Sequence, residues 1–269
     1  MFHDKTFLIT GAASGIGRLM ALEFARRGAA IVVVDINGEG AAAVAAEVEK
    51  TGARAWAFRA DLTDLAQIEV LPAQVHAAAG RIDGLVNNAG IVFGGAFDSV
   101  PLAQHLLTYR VNIDAMVALT HVFLPDLMAS REAHLVNIAS AAGFLGVPYG
   151  TTYASSKWAA VGFSESLRQE LIERGVDNIA VTTVCPGYID TGMFDGIRMP
   201  SLFKPMTPAF IVSKIIEGIA ARAAFVKEPF IVKTTDWLRA VLPLRLQVRT
   251  AQITGLADSM RHWKGRKSA

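Results

Sequence analysis

Apolar positions along the chain take two alternating forms. Short, mostly apolar runs of strand length fall at residues 6–10, 31–35, 54–60, 84–88, 134–139 and 179–185. Longer stretches with helical periodicity lie between them, at 15–28, 38–51, 64–79, 102–129 and 153–175. Ile31-Val32-Val33-Val34 puts four β-branched residues in a row, which suits a strand better than a helix. Strands that are apolar throughout belong to a sheet covered on both faces. Strand and helix in regular alternation imply a parallel sheet with helices on either side. Pro125 is expected to end or kink the helix over 102–129.

After Pro186 the pattern loosens. Residues 190–208 mix Gly192, Gly196, Pro200, Pro205 and Pro208 with Met193, Phe194, Met199, Phe203 and Met206, and read as a lid over a site. A helix is expected at 208–224 and a strand near 229–233. Residues 222–269 form a basic C-terminal extension, with ten Lys/Arg against three Asp/Glu. No repeat, low-complexity tract or linker divides residues 1–269, so a single domain is expected.

Composition narrows the function. At 269 residues, 52% apolar and 19% charged, the chain can bury a large core. A net charge of +2 argues against a nucleic-acid partner. The one cysteine, Cys185, excludes an internal disulfide framework and a multi-cysteine metal site. The six histidines show no His-x-x-x-His or His-Glu-x-x-His spacing, so no metal is expected in the chemistry. Neither a Gly-x-Ser-x-Gly elbow nor an ATP-type phosphate loop occurs. No apolar run reaches 18 residues, so no membrane span is expected, and the N-terminus lacks a secretory signal's features. These features fit a cytoplasmic location. The mean hydropathy of +0.36 is high for such a chain and calls for oligomer burial, an apolar substrate pocket or a membrane-surface contact.

Candidate chemistry starts where the first strand ends. Gly11, Gly15 and Gly17, with Ser14 and Ile16 among them, sit at a strand-to-helix junction with spacing G-x-x-x-G-x-G. Such a turn brings backbone close to a ligand, and the next helix offers unpaired N–H groups and a positive dipole end to a pyrophosphate. The next strand ends in Asp35, 18 residues beyond Gly17. A carboxylate there can accept hydrogen bonds from an adenosine ribose and would repel a 2′-phosphate, so NAD is favoured over NADP. Arg18, at a helix start, is expected to point elsewhere. Tyr153 and Lys157 are at i and i+4 on one helix face. A nearby ammonium favours phenolate, so the tyrosine pKa is expected to fall from about 10 toward working pH.

The full set, with Asp61, Asn87-Asn88-Ala89-Gly90, Asn112, Ser140, Tyr153-Ala-Ser-Ser-Lys157 and Pro186-Gly187 with Thr191, resembles the short-chain dehydrogenase/reductase family over about residues 5–191. The resemblance implies a three-layer, doubly wound Rossmann fold and an oxidoreductase that interconverts an alcohol and its ketone or aldehyde by hydride transfer. It implies Tyr153 as acid/base and Ser140 as a hydrogen-bond partner of the substrate oxygen. Lys157 would contact the nicotinamide ribose, and Asn112 would hold a water that links Lys157 to solvent. Asp61 and Leu62 would lie at the adenine. Asn88, Ala89 and Gly90 would lie beside the ribose, with Asn88 alternatively a tie between strands. Pro186, Gly187, Ile189 and Thr191 would touch the nicotinamide end. A regulator of the same fold without turnover is the alternative.

The substrate side is read from apolar residues. Met193, Phe194, Met199 and Phe203 in the lid, with Phe93, Phe144, Val147, Tyr149 and Tyr188 nearby, suggest an apolar alcohol or carbonyl substrate; packing alone explains them equally well. The tail resembles that of the family's retinol- and 17β-hydroxysteroid-type members. It is expected to pack on the chain, with a peripheral membrane contact through its basic region as the alternative. A homodimer or homotetramer is expected by resemblance, with Trp158, Val161 and Phe163 as interface candidates.

Overall fold

Strands β1 (Thr6–Thr10), β2 (Ala30–Asp35), β3 (Ala55–Arg59) and β4 (Gly84–Asn87) alternate with helices α1 (Gly15–Ala25), α2 (Gly38–Glu49) and α3 (Leu65–Ala79) in the computed structural model of the chain, which describes residues 2–200 and 204–265. Then follow α4 (Leu102–Tyr109), a π-helical turn at Arg110–Asp114, α5 (Ala115–Ala129), β5 (Ala133–Ile138), α6 (Thr151–Glu173) and β6 (Ile179–Pro186). The chain continues through α7 (Pro208–Ala220), β7 (Phe225–Glu228), α8 (Phe230–Lys233), α9 (Thr235–Val241) and α10 (Leu244–Ile253). Among the described residues the strands form one seven-stranded sheet in the order β3-β2-β1-β4-β5-β6-β7, parallel throughout.

Alternation along each strand divides the core into two layers. Phe7, Ile9, Ile31 and Val33 pack with Met20, Phe24, Val44, Ile211 and Ile215 on one face. Leu8, Val32, Val34 and Leu85 pack with Ile68, Leu71, Leu119, Phe123 and Leu127 on the other. Each fully buried side chain of this size contributes roughly 1.5–3 kcal/mol, which explains why unbroken apolar runs become the central strands. The strand order reverses between β1 and β4, where consecutive crossovers go to opposite faces. A crevice opens there at the carboxyl ends of the strands.

Three expectations are corrected. Residues 230–233 form helix α8, and the edge strand lies just before them, where Val226 pairs with Val184. Helix α5 does not end at Pro125 but continues to Ala129, with Phe123 and Leu127 on either side of the proline fully buried and holding the helix on the sheet. Val161, an interface candidate, is 5% exposed and packs with Phe144 and Cys185 inside its own chain. The stretch Leu102–Ala129 is long and apolar enough to cross a membrane by length and composition, but its second half lies on the sheet. Tail packing is divided: α10 buries none of its residues, whereas Met260 is 1% exposed.

One buried group gives the fold a pH response. His134 on β5 is 1% exposed, lies 6.0 Å from the Phe7 ring and has no hydrogen-bond partner for either ring nitrogen among the described residues. Burial pushes its pKa down from 6.5 to about 4. The unfolded chain takes up this proton as pH falls below 6.5, and the folded chain does not until about 4. Stability is therefore lost on acidification through that window, by at most about 1.4 kcal/mol per pH unit. Thermal melts between pH 7.5 and 4.5 should show a smaller loss in His134→Leu than in the wild type. Parallel curves would remove His134 as the cause.

Candidate active site

The loop after β1 is shaped by its glycines. Gly11 and Gly15 adopt φ of +62° and +60°, which side chains disfavour. A Cβ on Gly17 would lie 2.5 Å from the Gly11 carbonyl oxygen and 2.6 Å from Asn88 Nδ2, so α1 begins tight against the loop. The Asn88 amide donates to the Thr10 and Gly11 carbonyls at 2.8 and 3.1 Å. The Asn88 and Ala89 backbone N–H groups donate to Thr10 Oγ1 at 3.0 and 3.1 Å. Asn88 is thus the tie between β1 and β4 that one of its two expected roles required. The Asp35 carboxylate accepts from the Ala13 and Asn37 backbone N–H groups, each at 2.9 Å, and fixes both loops around itself. Arg18 pairs with Glu47 and is not among the residues that line the cavity described below. Thr63 donates to Asp61 through its backbone N–H and hydroxyl, and these bonds hold the Asp61 carboxyl below its usual range.

A cavity of about 780 Å³ runs across the crevice. Gly11, Ser14, Gly15, Ile16, Gly17, Asp35, Asp61 and Leu62 line one part of it. Asn88, Ala89, Gly90, Ser140, Tyr153, Lys157, Pro186, Gly187, Ile189 and Thr191 line the rest. Every expected cofactor residue therefore faces one space. Asn112 stands behind it on the π-helical turn, 1% exposed. Its amide accepts from the Ile91 N–H at 2.8 Å and donates to the Ile91 carbonyl at 2.9 Å and to Ser156 Oγ at 3.0 Å. A Cβ on Gly90 would meet Asn112 Oδ1 at 3.4 Å and Lys157 Nζ at 3.5 Å, so both groups converge on that glycine.

Ser140 ends the bend after β5, its hydroxyl accepting from the Ala142 N–H at 3.1 Å. Tyr153 and Lys157 project from the buried face of α6. The Tyr153 phenol departs from the sequence expectation. Burial pushes it up from 10 to about 12, against a smaller downward pull from its hydrogen bond with Ser140. Lys157 does not offset this, because its ammonium donates to the Ile138 carbonyl at 2.8 Å and lies 5.9 Å from the tyrosine ring centre. Burial also pulls Lys157 down from 10.5 to about 8.

The structure brings two of the four lid residues to the cavity. Met193 and Phe194 line the cavity, and Phe194 packs edge-on against Tyr153 at 5.9 Å and Tyr188 at 5.3 Å. Met199 is half-buried and lines neither this cavity nor its smaller neighbour. Met206 belongs to the core, bridged in parallel to Ile189. Phe203 lies outside the described residues. Phe144 packs against Phe225 at 6.3 Å, away from the cavity. Sequence reasoning missed Trp263, Lys264 and Gly265, which line the cavity from the C-terminal extension, and no spacing signal pointed to them.

A parallel sheet with a glycine-turned helix N-terminus, an acid ending β2 and a buried Ser–Tyr–Lys group at the strand ends defines a nicotinamide-dependent oxidoreductase of the Rossmann type. The family model for short chain dehydrogenase matches residues 5–201, and the chain belongs to that family, whose members act on CH–OH donors. The chain is 35% identical to the mouse epidermal retinol dehydrogenase 2 over 97% of its length and 85% of the relative's. It is 36% identical to estradiol 17-beta-dehydrogenase 11 of Macaca fascicularis over 88% and 79% of the two chains. Among solved structures, a short-chain dehydrogenase/reductase from Burkholderia phymatum in complex with NAD superposes with a TM-score of 0.80 at 25% identity, over 100% and 99% of the two chains. A short-chain dehydrogenase from Sphingobium yanoikuyae in complex with NADPH gives 0.77 at 29% identity, over 91% and 95%.

Proposed function

We propose that the chain interconverts an apolar alcohol with its ketone or aldehyde, prefers NAD, and uses Tyr153 as the acid/base. The observation that carries this is the shared cavity: Asp35 lies on its wall together with the buried Ser140, Tyr153 and Lys157. The names of the relatives support an apolar alcohol, since they specify retinol and estradiol.

The residues present fit a nicotinamide dinucleotide. Gly15 leaves the loop open, since a Cβ there would find its nearest neighbour, Thr191, at 3.9 Å. The first-turn N–H groups of α1 would hold the pyrophosphate, and Asp35 the adenosine ribose. Asp61 and Leu62 would border the adenine. Pro186, Gly187, Ile189 and Thr191 would border the nicotinamide, with Lys157 on its ribose. When bound, the nicotinamide supplies the hydride acceptor or donor.

The chain's own residues manage the proton. Ser140 and Tyr153 hold the substrate oxygen between their hydroxyls. With a pKa near 12, Tyr153 keeps its proton at neutral pH and can give it to a carbonyl oxygen. Lys157, charged below about 8 and held at the Ile138 carbonyl, stands 5.9 Å from the tyrosine ring centre and would serve the nicotinamide ribose. Oxidation runs the same steps in reverse. Phe194, itself packed against Tyr188, covers the Tyr153 ring edge-on, and burial of the phenol strengthens each of these interactions. Asn112 fixes the backbone of Ile91 behind Lys157 and so positions the residues it would serve in a proton relay.

Purified chain incubated with NAD or NADP and alcohols graded from short and polar to long, aryl and steroidal tests the proposal through absorbance of the reduced nicotinamide. Turnover with NAD on the apolar members is expected. Turnover confined to small polar alcohols would overturn the apolar substrate, and NADP preference would overturn the role of Asp35.

A further inference from the structure

The C-terminal extension holds no motif, yet its residues 256–265 lie across the site. The Arg198 N–H donates to the Ser259 carbonyl at 3.0 Å, and the Lys264 N–H to the Asp195 carbonyl at 2.8 Å. Trp263 Nε1 donates to the Met193 carbonyl at 3.0 Å, and the Tyr188 hydroxyl to Ser259 Oγ at 3.0 Å. A Cβ on Gly94 would lie 2.6 Å from Trp263 Cβ, so the strap presses on the loop after β4 as well. Met260 is 1% exposed and shares one apolar cluster with Val92, Val147, Tyr153 and Ala154.

A second, smaller cavity of about 50 Å³ adjoins the larger one. Ser140, Tyr153, Gly187 and Phe194 border both. Val147, Tyr188, Leu256 and Met260 also border the small one, so the strap forms one of its walls. The Tyr188 hydroxyl there is already spent on Ser259. A substrate oxygen held at Ser140 and Tyr153 would thus have two unequal apolar spaces beside it. The small one has room for a short alkyl branch. The larger one has the apolar residues Val92, Phe93, Leu107, Val111 and Trp263.

We infer that the strap sets substrate choice: the site takes secondary alcohols with one short and one long apolar arm, Met260 limits the short arm, and Trp263 pins the strap to the lid. This rests on the alcohol–carbonyl activity proposed above.

The test uses 2-decanol, 3-decanol and 4-decanol with NAD, so that only the short arm grows, from methyl to propyl. Wild type should show kcat/KM falling along that series. Met260→Ala should raise 4-decanol relative to 2-decanol by about ten-fold or more, in KM with kcat nearly unchanged. Met260→Phe and Leu256→Phe should move the ratio the other way, and Met260→Leu should leave it near wild type. Because the readout is a ratio, general damage to the fold cancels. Leu256 is only half-buried, so its variant is informative even where a Met260 variant fails to fold. An unchanged ratio in the folded Ala and Phe variants would overturn the inference. If wild type turns over none of these decanols, the strap is judged separately by displacement of 1-anilinonaphthalene-8-sulfonate by the same decanols, and the activity proposal fails where no apolar member of the panel above is turned over either. The same shift in relative affinity would support the strap's role, and its absence would overturn it.

Discussion

Replacing Tyr153 by phenylalanine should lower kcat by about 10²–10⁴-fold, the usual worth of a positioned proton donor. Cofactor affinity should stay close to wild type. The ring is 7% exposed and packs with Val92, Val147, Ala154 and Met260, contacts that phenylalanine keeps. What is lost is the hydroxyl opposite Ser140, and with it the proton that passes to or from the substrate oxygen. The burial that raises the phenol to about 12 also makes the group hard to replace by solvent, since Phe194, backed by Tyr188, packs on its ring. Steady-state rates with the best alcohol, beside a fluorescence titration of NAD, separate the two effects. A variant that retains kcat within about ten-fold would put the proton transfer on another group, and loss of NAD affinity would make Tyr153 a binding residue first.

The parts of the fold set by local pattern were legible in the sequence. Ile31-Val32-Val33-Val34 became β2, and the G-x-x-x-G-x-G turn landed at the β1–α1 junction where the strand order reverses. Chemistry fixed by spacing was legible too, because four residues on α6 put Tyr153 and Lys157 on one face whatever surrounds them. Desolvation was not. The fall expected for the Tyr153 pKa assumed an ammonium acting in open surroundings, whereas burial dominates and Lys157 turns to the Ile138 carbonyl. The strap was equally hidden, since Trp263 meets Gly94 and Met193 across long stretches of chain, and no periodicity encodes such pairs. The apolar triplet Phe230-Ile231-Val232 read as a strand by composition. The β6 edge instead pairs with Phe225–Glu228, and the triplet turns into α8. Arg59 went unnoticed for a related reason: its place beside Asp35 depends on the register of β2 with β3.

That arginine sharpens the expectation for cofactor choice. Asp35→Asn should weaken NAD by about 10- to 100-fold, the worth of hydrogen bonds to a charged acceptor, and should improve NADP in absolute terms. The carboxylate lines the cavity and holds two backbone N–H groups, which leaves each oxygen a further lone pair for ribose hydroxyls. A 2′-phosphate brought against it would meet like charge, worth about 4 kcal/mol at 4 Å in surroundings of intermediate polarity. Removing the charge lifts that barrier. Arg59, the β3 partner of Asp35, donates through Nε to the Ile36 carbonyl at 3.3 Å, which leaves other guanidinium donors near the site. Asparagine keeps the shape but only one acceptor oxygen, so its amide NH2 faces one of the two backbone N–H groups, and a thermal melt beside the kinetics separates loss of charge from loosening of the turn. The measurement is the ratio of kcat/KM for NAD to that for NADP with a single alcohol, wild type against variant. A fall in that ratio by at least ten-fold is expected. A ratio that stays put while both cofactors weaken equally would mean that Asp35 serves the loops and does not choose the cofactor.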